Sequence, residues 1–98
     1  MNQYTEALQR ANLVRSERAE IKRALVAGRC SPIELLRDPP VSCRRVPVHE
    51  LLTWLPQWGD RRADRTLLAA QVSGRLTLEQ LTERARGALA EQLSRRVT

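Results

Sequence analysis

The chain has 98 residues, enough for one domain with a modest apolar core and little room for a lidded active site. Its net charge is +6, and of its 17 basic residues only Lys22 is not arginine, which favours an anionic partner: nucleic acid first, an anionic membrane or acidic protein behind it. The aromatic residues are Tyr4, Trp54 and Trp58 alone, too few for a base-stacking platform on single strands.

Residues 5–27, TEALQRANLVRSERAEIKRALVA, contain no Gly or Pro and predict one long helix. Leu8, Ala11, Val14, Ile21 and Leu25 fall near a helical stripe, and Arg10, Arg15, Arg18, Lys22 and Arg23 populate the other faces. Gly28 fits its C-terminal stop. In CSPIELLRD, Ser31 stands as N-cap, Pro32 at the first helical position and Glu34 three residues after the cap. Pro39 and Pro40 end that short helix at about Arg37, and VSCRRV reads as a basic loop. Pro47 opens PVHELLTW, a short helix ending before Pro56. Asp60 caps or starts DRRADRTLLAAQV, whose stripe is Ala63, Leu67 and Ala70 and which Gly74 breaks. Thr77 with Gln80 makes a capping box ahead of LEQLTERARGALAEQLSRR, with Leu78, Leu81, Ala85, Ala88 and Leu89 inward. No period-two alternation occurs, so the expected fold class is all-α: a long N-terminal helix followed by short ones.

Catalytic signatures are missing. There is no Gly-rich phosphate loop with a lysine, no HExxH, and no cysteine with an identifiable partner base. Cys30 and Cys43 lie thirteen apart with no CxxC pair, and His49 is the single histidine, so no structural zinc, other metal or cofactor is expected. The first ten residues lack an apolar signal region and no run approaches membrane-spanning length, so the expectation is a cytoplasmic, non-enzymatic protein without a membrane partner.

The corner LPQWGDRRA has two readings. It is an αα-corner with solvated arginines, or an anion site in which the amides at a helix start, with Arg61 and Arg62 in the first turn, hold a phosphate. Trp58 likewise reads either as a wedge into a minor groove or, as such a tryptophan more often does, as a cover over the core. His49 is expected at the surface. The surplus of positive charge over residues 10–23 favours a phosphate-tracking face over a merely solvated one, and Arg95 and Arg96 read as a basic tail.

From about Ala11 to Leu93 the chain resembles the actinobacterial-type integration host factor family, small nucleoid-associated proteins unrelated in fold to the β-armed protein of the same name. RAEIKRAL at 18–25 matches the family's basic helix, SPIELL at 31–36 its short second helix, and VHELLTWLPQWGDRRA at 48–63 its Leu-Pro hairpin block. The resemblance implies a helix-two-turn-helix domain over 30–98, joined in one unit with the basic helix at 1–29. It further implies duplex-DNA binding with little sequence preference, by backbone contacts near the minor groove, with bending or compaction. Gly59 matches the family's second hairpin glycine and Arg62 its arginine; Gln57 and Trp58 occupy the hairpin tip, and Arg44 and Arg45 the basic loop. The chain departs from the family where Gln57 replaces the first hairpin glycine, and where Asp60 and Asp64 replace lysines. Arg61 and Arg65 stand at positions usually apolar or polar, and the segment after Val72 is several residues shorter.

Three functions follow as expectations. The first is an architectural protein that grips double-stranded DNA through the 57–62 hairpin, with Arg61, Arg62 and Arg65, and through the Arg15–Arg18–Lys22–Arg23 face. The second is a protein-interaction or regulatory module derived from that family with weakened DNA binding. The third is an accessory factor for a recombinase, which combines both.

Overall fold

A computed structural model describes the backbone of residues 3–97 and the side chains of residues 5–95; residues 1, 2 and 98 of the expected domain bounds lie outside it. The elements are α1 (Gln3–Val26), α2 (Pro32–Arg37), α3 (Val48–Thr53), α4 (Asp60–Ala70) and α5 (Glu83–Val97). Two 3-10 turns intervene, Val41–Cys43 and Leu78–Gln80. The all-α expectation is met: among the described residues the sole β feature is an isolated bridge between Pro47 and Thr77.

The core lies between α2, α3, α4 and α5. Leu35 and Leu36 come from α2, Val48, Leu51 and Leu52 from α3, Ala63, Leu67 and Ala70 from α4, and Ala85, Leu89 and Leu93 from α5. The i, i+3/i+4 spacing of these positions is what turns one face of each helix inward. Helix α5 packs against both α2 and α4, and α3 packs against α4.

Helix α1 behaves differently along its length. Leu25 is buried and Ile21 packs against the core, but Leu8 and Ala11 are exposed and Val14 is half-buried. The expected apolar stripe therefore holds only at its C-terminal end. Twenty-four residues of helix extend about 36 Å, more than the 27 and 22 Å short axes of the molecule, so the N-terminal half runs past the core. Gly28, at φ 75, ends α1 in the left-handed conformation that glycine adopts without steric cost.

Three local expectations are corrected. The segment VSCRRV is not all loop, since Val41–Cys43 closes a 3-10 turn. Helix α4 stops at Ala70, where Gln71 takes a left-handed C-cap at φ 57, before Gly74 is reached. Gly74 serves a close approach instead: a Cβ there would lie 2.9 Å from both His49 Cβ and Leu67 Cδ1. The third correction is the single helix expected after Thr77, which is two elements. Gln80 Oε1 does accept the Thr77 N–H at 3.0 Å, but Leu78 and Glu79 donate their N–H groups to the carbonyls of Val46 and Arg44. Leu81 is extended, and Thr82 Oγ1 restarts the helix by accepting the Ala85 N–H at 3.1 Å. Backbone bonds to the 44–46 loop thus satisfy two N–H groups that any helix start leaves without intrahelical acceptors, and they dock the Leu78–Gln80 turn on that loop.

Candidate nucleic-acid interface

The corner between α3 and α4 is built from a tight turn. Pro56 and Gln57 occupy its centre, and the Trp58 N–H donates to the Leu55 carbonyl at 3.1 Å. Proline at the second position and a positive φ at the third are the marks of a type II turn. The third residue is Gln57, at φ 64, although glycine or asparagine usually stands there.

Gly59, extended at φ −101 and ψ −178, is the N-cap of α4, and Asp60 is its first helical residue. No side-chain cap closes this helix start. A helix start leaves four N–H groups without intrahelical acceptors and carries the positive end of the helix dipole, so an uncapped one accommodates an anion. A Cβ built on Gly59 would meet nothing within 4 Å, so neither its φ nor its packing requires a glycine.

The side chains at this corner divide sharply. Arg61 and Arg65 are exposed. Arg62 is half-buried, with its guanidinium carbon 4.6 Å from the centroid of the Trp58 ring, a cation–π contact. Trp58 itself is 8% exposed and belongs to the core cluster. The wedge reading of Trp58 is therefore corrected: its ring is spent on the core and on Arg62, and what it offers outward is the position of that guanidinium. Gln57 is exposed at the tip. Arg62 also borders a groove of about 650 Å³ that includes Arg29, Cys30 and Glu34. Burial, with the neighbouring Glu34 second, pushes the Cys30 thiol up, and burial does the same to Cys43. Neither thiol is thereby favoured as a thiolate nucleophile.

A second basic surface lies between α1 and the 41–45 turn. Arg10, Arg15, Arg18, Arg44 and Arg45 line a groove of about 580 Å³ there, with Glu79 as its acidic member. The groove is held together by Arg18, whose Nε–H donates to the Ser42 carbonyl at 2.6 Å. Arg18 is thus partly a structural link, while Arg15, Arg44 and Arg45 are exposed. Lys22 and Arg23 are exposed further along α1 and do not line this groove.

Sequence reading missed two features. His49 is half-buried, not simply at the surface: its Nε2 lies 3.1 Å from Asp64 Oδ1 and 3.9 Å from Asp60 Oδ1. Arg86 reaches back across the fold, donating to the carbonyls of Leu36 at 2.5 Å and Leu78 at 2.7 Å. Neither could be seen in the chain order, because the partners are distant in sequence. Arg95 pairs with Glu91 one turn away at 2.7 Å, and the side chain of Arg96 lies outside the described residues. Among the described residues no helix is long and apolar enough to cross a membrane.

No family model and no curated protein sequence matches this chain. Among solved structures, that of sIHF bound to an 8 bp palindromic DNA matches with a TM-score of 0.77 at 24% sequence identity, covering 86% of this chain and 97% of that one. The chain has the all-helical fold of sIHF.

Proposed function

We propose that this chain is a non-catalytic, nucleoid-associated protein of the actinobacterial integration host factor type. It binds duplex DNA with little sequence preference, contacts the phosphate backbone near the minor groove, and bends or compacts the DNA. The observation that carries this reading is the α3–α4 corner. There an uncapped helix start follows a glycine that the fold itself does not need, and Arg61, Arg62 and Arg65 surround it. A residue without a side chain at that point leaves the amides of α4 open to close approach by a phosphate oxygen. The groove of Arg10, Arg15, Arg44 and Arg45 supplies a second phosphate surface, and the long helix and the corner act as one unit, Leu25 and Trp58 belonging to the same core cluster. The likeness in fold to a protein solved on DNA adds support.

The mechanism is neutralisation of phosphates with release of counterions. Four to six contacts predict that the logarithm of the binding constant falls with the logarithm of salt at a slope of roughly −4 to −5. A salt titration on random-sequence duplex measures this directly, and no binding at low salt, or an affinity indifferent to salt, would overturn the proposal. If binding occurs but neither Arg62→Ala nor the α1 arginine variants weaken it, the protein-interaction reading takes its place. Energy transfer between labelled duplex ends separates bending, which an accessory role beside a recombinase requires, from passive coating.

A further inference from the structure

We propose that His49 is a positioning residue for the DNA-binding corner, and that its proton decides whether Asp60 and Asp64 oppose a phosphate there. This inference rests on the duplex-binding reading above. Asp60 is the first residue of α4, at the end of the helix that attracts an anion, and Asp64 lies one turn on along the same face. Each repels a phosphate approaching that end. His49, on the neighbouring α3, places Nε2 within 3.1 Å of one carboxylate and 3.9 Å of the other.

The backbone holds His49 in that place. Its N–H donates to the Gly74 carbonyl at 3.2 Å, and the contact leaves no room for a side chain at residue 74. The aspartates, at 82% and 69% side-chain exposure, remain open to solvent and to a ligand. Arg75 is the other charged residue that borders the same hollow as His49 and Asp64. A bound phosphate adds a further anion on the same side. The corner therefore takes up a proton when DNA binds, and the cation so formed pairs with Asp60 and Asp64. With the imidazole neutral, both carboxylates face the phosphate uncompensated.

Histidine side chains change charge between about pH 5 and 8, and this chain has one histidine. Affinity for a random-sequence duplex at constant low salt is expected to rise about fivefold as pH falls across that range, the scale of a solvent-exposed ion pair of ~1 kcal/mol. His49→Gln, which keeps the side chain's polarity without its charge, is expected to bind at all pH values as the natural chain does at the alkaline end. Asp60→Asn combined with Asp64→Asn is expected to bind more tightly than the natural chain at every pH, because the carboxylates that oppose the phosphate are gone; both sites are exposed, so this variant keeps the fold if His49→Gln does not. A flat profile in the natural chain, a slope that survives in His49→Gln, or an aspartate variant that binds no more tightly than the natural chain overturns the role of His49. If duplex binding is present and arginine-dependent while the profile is flat, the function stands and only this inference falls. Absence of duplex binding at every pH removes both.

Discussion

The molecule carries two arginine-bearing surfaces, and they are made in opposite ways. The α3–α4 corner is local: its residues lie within one short stretch, its shape comes from a turn, and its charge is diluted by Asp60 and Asp64. The α1 groove is tertiary: it joins residues 10–18 to residues 41–45 through the Arg18–Ser42 bond, and Glu79 alone among its lining residues is acidic. The corner has the recognisable motif, but the groove concentrates the charge. Counterion release depends on how many phosphates are neutralised and not on which motif does it, so the groove should contribute more affinity and the corner more orientation.

The sharpest way to break that comparison is to remove charge from each surface separately. Arg15→Ala with Arg45→Ala takes two exposed guanidinium groups from the groove and leaves the structural Arg18 in place. At about 0.1 M salt each lost phosphate contact costs about eightfold, so duplex affinity should fall about sixtyfold and the salt slope become shallower by about 2. Arg61→Ala with Arg65→Ala at the corner should cost about tenfold, because the nearby aspartates already offset part of that charge. Anisotropy titrations at several salt concentrations measure both pairs. The reverse ranking would make the corner the main anchor and the groove a bystander.

The same contrast explains how far the sequence could be read. Local signals placed the helices well: Ser31-Pro32 opens α2, Leu55-Pro56 makes the corner, and Gly28 ends α1. Each of these acts through its own backbone or its nearest neighbours. What escaped was set by partners far along the chain. The docking of the Leu78–Gln80 turn depends on carbonyls at residues 44 and 46, the use of Gly74 on His49, and the placement of Arg86 on Leu36. The exposed half of α1 escaped for another reason, since its apolar residues form too weak a stripe to say where packing stops. At the candidate interface, the corner could be located from its residues, but the meeting of Arg15 and Arg18 with Arg44 and Arg45 could not.

Smaller changes separate the shape of the corner from its charge. Gly59→Ala puts a methyl group where the protein has empty space. The loss of a favoured N-cap residue and the gain in chain stiffness oppose each other, each by less than ~1 kcal/mol, so the melting temperature should move by no more than about 4 °C. Duplex affinity should nevertheless drop about fivefold, as for one weakened hydrogen bond of ~1 kcal/mol to a phosphate. Unchanged affinity with unchanged stability would mean that no ligand approaches the start of α4 closely.

Gln57→Gly has the smallest expected effect and acts on shape alone. Gln57 holds φ at 64 in an exposed turn, a conformation that crowds the Cβ of any L-residue. Glycine removes roughly 1–2 kcal/mol of that strain and returns ~0.5–1 kcal/mol of it as unfolded-state entropy, so a net stabilisation of about 0.5–1 kcal/mol is expected in thermal melts. Gln57→Ala keeps the crowded Cβ and should leave stability unchanged, which makes the pair a control on backbone strain. Neither substitution alters charge, so duplex affinity should stay within about twofold in both. A loss of stability in Gln57→Gly would mean that the glutamine side chain itself braces the turn, and the corner would then be held by a contact specific to this chain in place of the glycine that the resembling family uses there.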